Sequence, residues 1–139
     1  MRRLLPLLLC FVLILPAHAT RQPVRGRQGM AVAMEAIAAD VGVGVLQKGG
    51  NAVDAAVAMG FAMAATHPFA GNIGGGGYML IRLADGTTTF IDFRERAPGA
   101  ATRDMYLDAQ GNPTRDSIQG WRSSGVPGSV RGFELANSK

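Results

Sequence analysis

Cysteine is all but missing from this chain. One of its 139 residues is cysteine, Cys10, and it lies in an apolar N-terminal run. Downstream of that run a disulfide framework, a cysteine-ligated metal site and a thiol nucleophile are all excluded. Histidine is nearly as scarce: His18 and His67 are the two, too few for a histidine-rich zinc centre. No metal and no other cofactor is expected. Charged residues make up 17% and aromatics 6%, and the basic residues are scattered rather than striped, so nothing in the pattern supports nucleic-acid binding. Repeats of about 20–50 residues are absent, which excludes a solenoid. Glycine is abundant, 19 of 139, but without a three-residue period, which excludes collagen. A hydrophobic share of 47% excludes a disordered tail, and the length admits one domain at most.

Residues 1–19, MRRLLPLLLCFVLILPAHA, read as a signal peptide. Arg2 and Arg3 give a positive start, Leu4 to Leu15 is an apolar run, Pro16 breaks it, and Ala17-His18-Ala19 supplies a small-x-small cleavage signal. Twelve helical residues rise about 18 Å, well short of the ~30 Å hydrocarbon core. The alternative is an uncleaved anchor. Cys10 follows Leu9 and the apolar run continues past it, so it is no lipid-attachment site. The expectation is an exported protein, in the bacterial periplasm or outside the cell, with no stable membrane anchor. The formal charge of +4 falls to about +2 without the leader, because 14 basic residues become 12 against 10 acidic.

Residues 20–28 are polar and basic and predict an extended arm. Gly29 to Ala33 predicts a short strand. Met34 to Lys48 predicts a helix with Met34, Ile37, Val41 and Val45 on its apolar face. Gly42 and Gly44 weaken it, and their use is close packing on a neighbour. Lys48-Gly49-Gly50 is a stop signal. Asn51 caps the next helix, Ala52 to Thr66, with Asp54 at its positive start. That helix is apolar nearly all round and is expected to be central. Pro68 ends it. Tyr78 to Leu83 and Thr87 to Arg94 predict a β-hairpin around the turn Ala84-Asp85-Gly86. Thr102 to Leu107 predicts a short helix, Gly111-Asn112-Pro113 a turn, Gly125 to Gly128 a stiff turn, and Ser129 to Ala136 a final helix inside which the chain stops. An incomplete chain is therefore expected. The fold class is α/β (α+β).

Three features invite chemistry. The run Gly74–Gly77 resembles a phosphate loop, but a strand follows it and no Gly-Lys-Ser/Thr is present, so a tight backbone passage fits better. His67 could be a general base; a helix-end histidine bonding last-turn carbonyls is the plainer reading. Asp92-Phe93-Arg94-Glu95-Arg96 ends the second strand, and alternation puts Ile91 and Phe93 on one face, Asp92 and Arg94 on the other. Arg94 there could grip a carboxylate with two hydrogen bonds, held by Asp92 or Glu95. A solvated ion cluster is the alternative.

Four segments in order resemble the γ-glutamyltranspeptidases. They are Gln47 to Ala58; Thr66-His67-Pro68 with Gly71 to Leu80; Ile91 to Pro98; and Ser124 to Val130 with Gly132-Phe133. The resemblance covers about residues 27–136. The resemblance implies an N-terminal-nucleophile hydrolase with an αββα sandwich, of which residues 29–139 would be the N-terminal portion of the large subunit. It implies a precursor that cuts itself into two subunits, and a small-subunit threonine that attacks the γ-glutamyl amide of glutathione and similar compounds. It also implies that Arg94 binds the α-carboxylate of the γ-glutamyl group, with Glu95 and Asp92 as its supports. The nucleophile lies beyond residue 139 in that family, so this chain alone would be inactive, and its uncovered faces would favour aggregation. The rivals are a cephalosporin or glutaryl acylase of the same family, against which Arg94 argues, and a non-catalytic exported binding module.

Overall fold

The computed structural model describes residues 23–139. The leader and residues 20–22 lie outside them. Residues 23–28 are exposed and form no regular element. The element order is α1 (Ala36–Gln47), α2 (Ala52–Thr66), β1 (Tyr78–Arg82), β2 (Thr88–Asp92), two short 3₁₀ turns (Arg115–Ser117 and Trp121–Ser123), and α3 (Ser129–Asn137).

The start of α2 is fixed by side-chain chemistry. Asn51 Oδ1 accepts from the backbone N–H groups of Val53 (2.7 Å) and Asp54 (3.0 Å), and Asp54 Oδ2 accepts from the Asn51 N–H at 2.8 Å. This reciprocal capping box satisfies three backbone donors that the first helical turn cannot. The stop before it is equally explicit. Lys48 is the C-cap of α1, Gly49 takes φ +90°, and the Gly50 N–H returns to the Val45 carbonyl at 3.0 Å.

The packing of α1 differs from the sequence expectation. Met34 and Ile37 are 78% and 65% exposed, and the buried positions are Ala38 and Gly42. The helix approaches α2 on its small residues, where a β-carbon at Gly42 would overlap the Met59 thioether. A β-carbon added at Gly44 would meet nothing within 4 Å, so close packing does not require a glycine there. Close helix–helix approach selects the smallest side chains, and a count of large apolar residues misses that face.

The hairpin forms as expected. Tyr78 pairs with Asp92, Met79 with Ile91, Leu80 with Phe90, Ile81 with Thr89, and Arg82 with Thr88. Its turn is set by Gly86 at φ +89° and by Asp85 Oδ1 accepting the Thr87 N–H at 2.8 Å. These hydrogen bonds hold the Asp85 carboxyl below its ordinary range. Ile81 and Ile91 turn inward and join Val53 of α2 and Ala136 of α3 in the core, with Val57, Met79, Leu83 and Phe93 packed around them. Tyr78, Leu80 and Phe90 face outward and stay exposed.

Three expectations change. Gly29 to Ala33 is irregular and pairs with no strand among the described residues. Thr102 to Leu107 is a set of turns, not a helix: Leu107 N–H bonds the Asp104 carbonyl, and its end is tied to Pro113 by an isolated bridge. Gly125 to Gly128 is not a turn but an extended tether, through the paired backbone bonds of Val126 and Arg96 at 2.8 and 3.2 Å.

The two glycines of α1 make opposite predictions. Gly44→Ala should stabilise the protein by up to ~1 kcal/mol, because helix propensity rises and nothing is displaced. Gly42→Ala should cost about 1–3 kcal/mol by overpacking against Met59. Denaturant titration of the two variants checks both signs.

Candidate functional site

The site is built around one extended stretch, Phe93 to Arg96, that has almost no space beside it. On one side the Phe93 N–H donates to the Gly77 carbonyl at 3.0 Å. On the other, Arg96 and Val126 exchange backbone hydrogen bonds, and the N–H groups of Gly128 and Ser129 reach across to the Gly75 carbonyl at 2.9 and 3.1 Å. A β-carbon at Gly76 would stand 2.5 Å from the Phe93 carbonyl oxygen and 2.7 Å from the Glu95 nitrogen. One at Gly128 would overlap the Phe93 carbonyl, and one at Gly132 the Phe93 ring. The glycine run is therefore a backbone passage, as its position ahead of a strand implied. The Phe93 ring meets Phe133 of α3 edge-on at 5.8 Å, and Phe133 in turn meets Phe61 of α2 at 5.2 Å. These edge contacts tie the stretch to both helices.

Alternation along the strand turns Phe93 into the core and leaves Asp92 and Arg94 outside. Asp92 Oδ1 accepts the Arg94 backbone N–H at 3.0 Å. Glu95 Oε2 accepts from Arg94 Nε at 3.0 Å. The Arg94 carbon Cζ stands 5.8 Å from the centre of the Tyr78 ring. The structure thus brings Asp92, Arg94 and Glu95 together, Asp92 on the backbone of the arginine and Glu95 on its guanidinium. Backbone hydrogen bonding first, then the Arg94 guanidinium, holds the Glu95 carboxyl below its ordinary range. The Glu95 bond, then Tyr78, favours the charged form of Arg94. An ion pair this exposed adds little stability. Its effect is geometric: with Nε occupied by Glu95, the two Nη groups remain for a ligand, and the side chain is 58% exposed.

Arg94 stands between two clefts. One, of about 560 Å³, runs along Arg94, Glu95, Thr102, Tyr106 and Ser124. The other, of about 260 Å³, lies between the strand end and α3, past Pro127 and Arg131. A planar guanidinium on the ridge between two clefts suits an anion, above all a carboxylate that accepts two parallel hydrogen bonds. Among the described residues no three His, Cys, Asp or Glu side chains come together as a metal site. None of the described helices is long and apolar enough to cross a membrane.

His67 takes no part in this arrangement and lines neither cleft. Its side chain does not bond the last-turn carbonyls, as the sequence suggested. Nδ1 contacts Glu35 Oε1 at 3.1 Å, so the residue joins the end of α2 to the start of α1. Sequence reasoning also passed over Tyr78 and the cleft wall at Thr102, Tyr106 and Ser124. Tyr78 was reachable from alternation, since it lies opposite Asp92 on the face that Arg94 continues. The cleft wall was not, because turns place it there through contacts such as the Tyr106 hydroxyl donating to the Arg122 carbonyl at 3.2 Å.

Comparison with known proteins identifies the family. Residues 38–139 match the family model for gamma-glutamyltranspeptidase. The glutathione hydrolase proenzyme of Escherichia coli K12 is 60% identical over 118 residues, which is 84% of this chain and 20% of that protein. The corresponding proenzyme of Pseudomonas sp. strain A14 is 56% identical over 124 residues, 88% of this chain and 22% of its own length. The crystal structure of Helicobacter pylori gamma-glutamyltranspeptidase superposes with a TM-score of 0.79 at 47% identity, over 84% of this chain and 34% of that one. The enzyme from Pseudomonas nitroreducens, solved with L-DON, gives 0.76 at 46%, over 82% of this chain and 34% of that one. The chain therefore spans about a fifth of the length of these curated relatives, and its mixed helix-and-sheet fold is that of one part of an N-terminal-nucleophile hydrolase. Fold, ordered sequence blocks and extent of match agree: the chain belongs to the γ-glutamyltranspeptidase family.

Proposed function

We propose that this chain is the donor-recognising N-terminal portion of the large subunit of an exported γ-glutamyltransferase, or glutathione hydrolase, and that Arg94 holds the α-carboxylate of the γ-glutamyl donor. One observation carries this reading: a guanidinium with Nε tied to Glu95 at 3.0 Å, on a backbone seated among glycines, with its remaining edge open to clefts on either side. A fork so oriented offers two parallel charge-assisted hydrogen bonds to a carboxylate. Lysine carries the charge but not the fork. A glutaryl donor carries a carboxylate in the same position and lacks only the α-amino group, so Arg94 suits both donors, contrary to the sequence expectation. The similarity to glutathione hydrolase proenzymes is what favours the γ-glutamyl substrate.

The reaction belongs to the complete enzyme, formed when the precursor cuts itself into two subunits. A threonine at the new N-terminus of the small subunit attacks the γ-carbonyl carbon of glutathione or a similar compound, and its α-amino group takes the hydroxyl proton. The C–N bond breaks, the leaving amine gains the proton, and a γ-glutamyl ester remains. Water or the amino group of an amino acid or peptide then takes the acyl group and frees the threonine. Arg94 contributes by fixing the far end of the donor, which sets where the γ-carbonyl lies relative to the nucleophile. No cofactor enters these steps. The basic, apolar leader of residues 1–19 supports export to the periplasm or beyond.

Two measurements on the complete enzyme test this reading. Arg94→Lys should lower kcat/KM for a γ-glutamyl donor by about thirtyfold or more, the scale of a lost charge-assisted contact; unchanged kinetics would remove Arg94 from the site. Glu95→Gln should raise the donor KM with a defined pH dependence. Folding lowers the Glu95 carboxyl from its ordinary 4.5, so the pair is fully formed above that value and is lost as pH falls through the lower, folded value. The ratio of variant to wild-type KM should therefore stay constant from about pH 8 to about pH 5 and approach one only in stronger acid.

A further inference from the structure

Tyr78 opens β1 and lies opposite Asp92 in the hairpin register. Its ring stacks on that of Phe90, with centroids 5.6 Å apart and planes 21° from parallel. Both residues are on the outward face of the hairpin, and Tyr78 is 57% exposed. Burial of the ring therefore does little for the core. What the ring does touch is the arginine: Arg94 Cζ stands 5.8 Å from its centre, inside the range at which a guanidinium is held by a ring quadrupole. The stack with Phe90 keeps the ring from turning away. Alternation explains the meeting, since Asp92 and Arg94 share the outward face and Tyr78 sits across from the first of them.

Arg94 is thus restrained twice, by different physics. Glu95 fixes Nε through a hydrogen bond at 3.0 Å. The tyrosine ring limits the direction in which the flat group lies. A hydrogen bond at one nitrogen still lets the plane swing about it, whereas a second contact at the ring removes that freedom. An arginine ordered before its ligand arrives loses less conformational entropy on binding.

We propose that Tyr78 is a positioning residue for donor recognition, its ring holding the Arg94 guanidinium so that the Nη edge meets the α-carboxylate. This rests on the reading of Arg94 given above. Phenylalanine keeps this ring contact and an aliphatic side chain loses it.

The test is a set of steady-state measurements on the complete enzyme with a γ-glutamyl anilide as donor. Tyr78→Leu should raise the donor KM about fivefold with kcat within about twofold of wild type, and Tyr78→Phe should recover most of that loss. Tyr78→Ile, whose β-branched side chain suits an exposed strand position, serves if the leucine variant folds poorly. A double-mutant cycle separates positioning from packing: in an Arg94→Ala background, Tyr78→Leu should lower kcat/KM no further. An equal loss in both backgrounds, a fall in kcat rather than a rise in KM, or no effect of the aliphatic variants overturns the proposal. If Arg94→Ala itself leaves donor use unchanged, the reading of Arg94 fails. If Arg94→Ala impairs donor use and Tyr78→Leu does not, only the role of Tyr78 fails.

Discussion

The backbone from Phe93 to Glu95 runs through a space that admits no β-carbon on the chains beside it. Gly76 approaches it from the loop before β1 and Gly128 from the start of α3, and a β-carbon at either would collide with this backbone, while one at Gly132 would collide with the Phe93 ring. Everything else at the site depends on that clearance. Because the glycines let three backbone segments touch, their N–H and carbonyl groups can bond one another, and Gly75 serves as acceptor for both Gly128 and Ser129. Buried backbone polar groups must be paired, and here the pairing joins the hairpin to α3. Phe93 then enters the core and Arg94 is left facing out, by alternation alone.

A rigid base changes what a weak interaction can do. The Arg94–Glu95 pair is exposed, and pairs of that kind contribute little to folding. Directional effects are a separate matter. A side chain of long reach normally samples many rotamers, and a partner at Nε with an aromatic ring at 5.8 Å selects among them. The backbone below is held by Asp92, which accepts the Arg94 N–H. Three modest contacts on a stretch whose backbone is hydrogen-bonded at Phe93 and at Arg96 together select one orientation of the side chain.

Much of this was legible in the residues. Asp85-Gly86 between two alternating runs announces the hairpin, and Asn51 with Asp54 announces the start of α2, because turn and cap chemistry is local. The strand-end cluster around Arg94 was legible too, from alternation. What escaped was decided by distant partners. The buried face of α1 is Ala38 and Gly42 because α2 comes close, not because the residues are large. The stretch Thr102 to Leu107 is drawn into turns by tertiary bonds, among them the Thr114 hydroxyl donating to the Tyr106 carbonyl at 2.9 Å. His67 turns to Glu35, thirty-two residues away, instead of its own helix. Gly29 to Ala33 has the residues of a strand and no neighbour to pair with among the described residues.

The central claim concerns one contact, so a crystal structure of the complete protein with L-glutamate bound tests it most directly. The account predicts both Nη groups of Arg94 within about 3 Å of the two α-carboxylate oxygens, with Nε still bonded to Glu95. A glutamate whose α-carboxylate is held by other groups, with the Arg94 side chain turned to solvent, would contradict it.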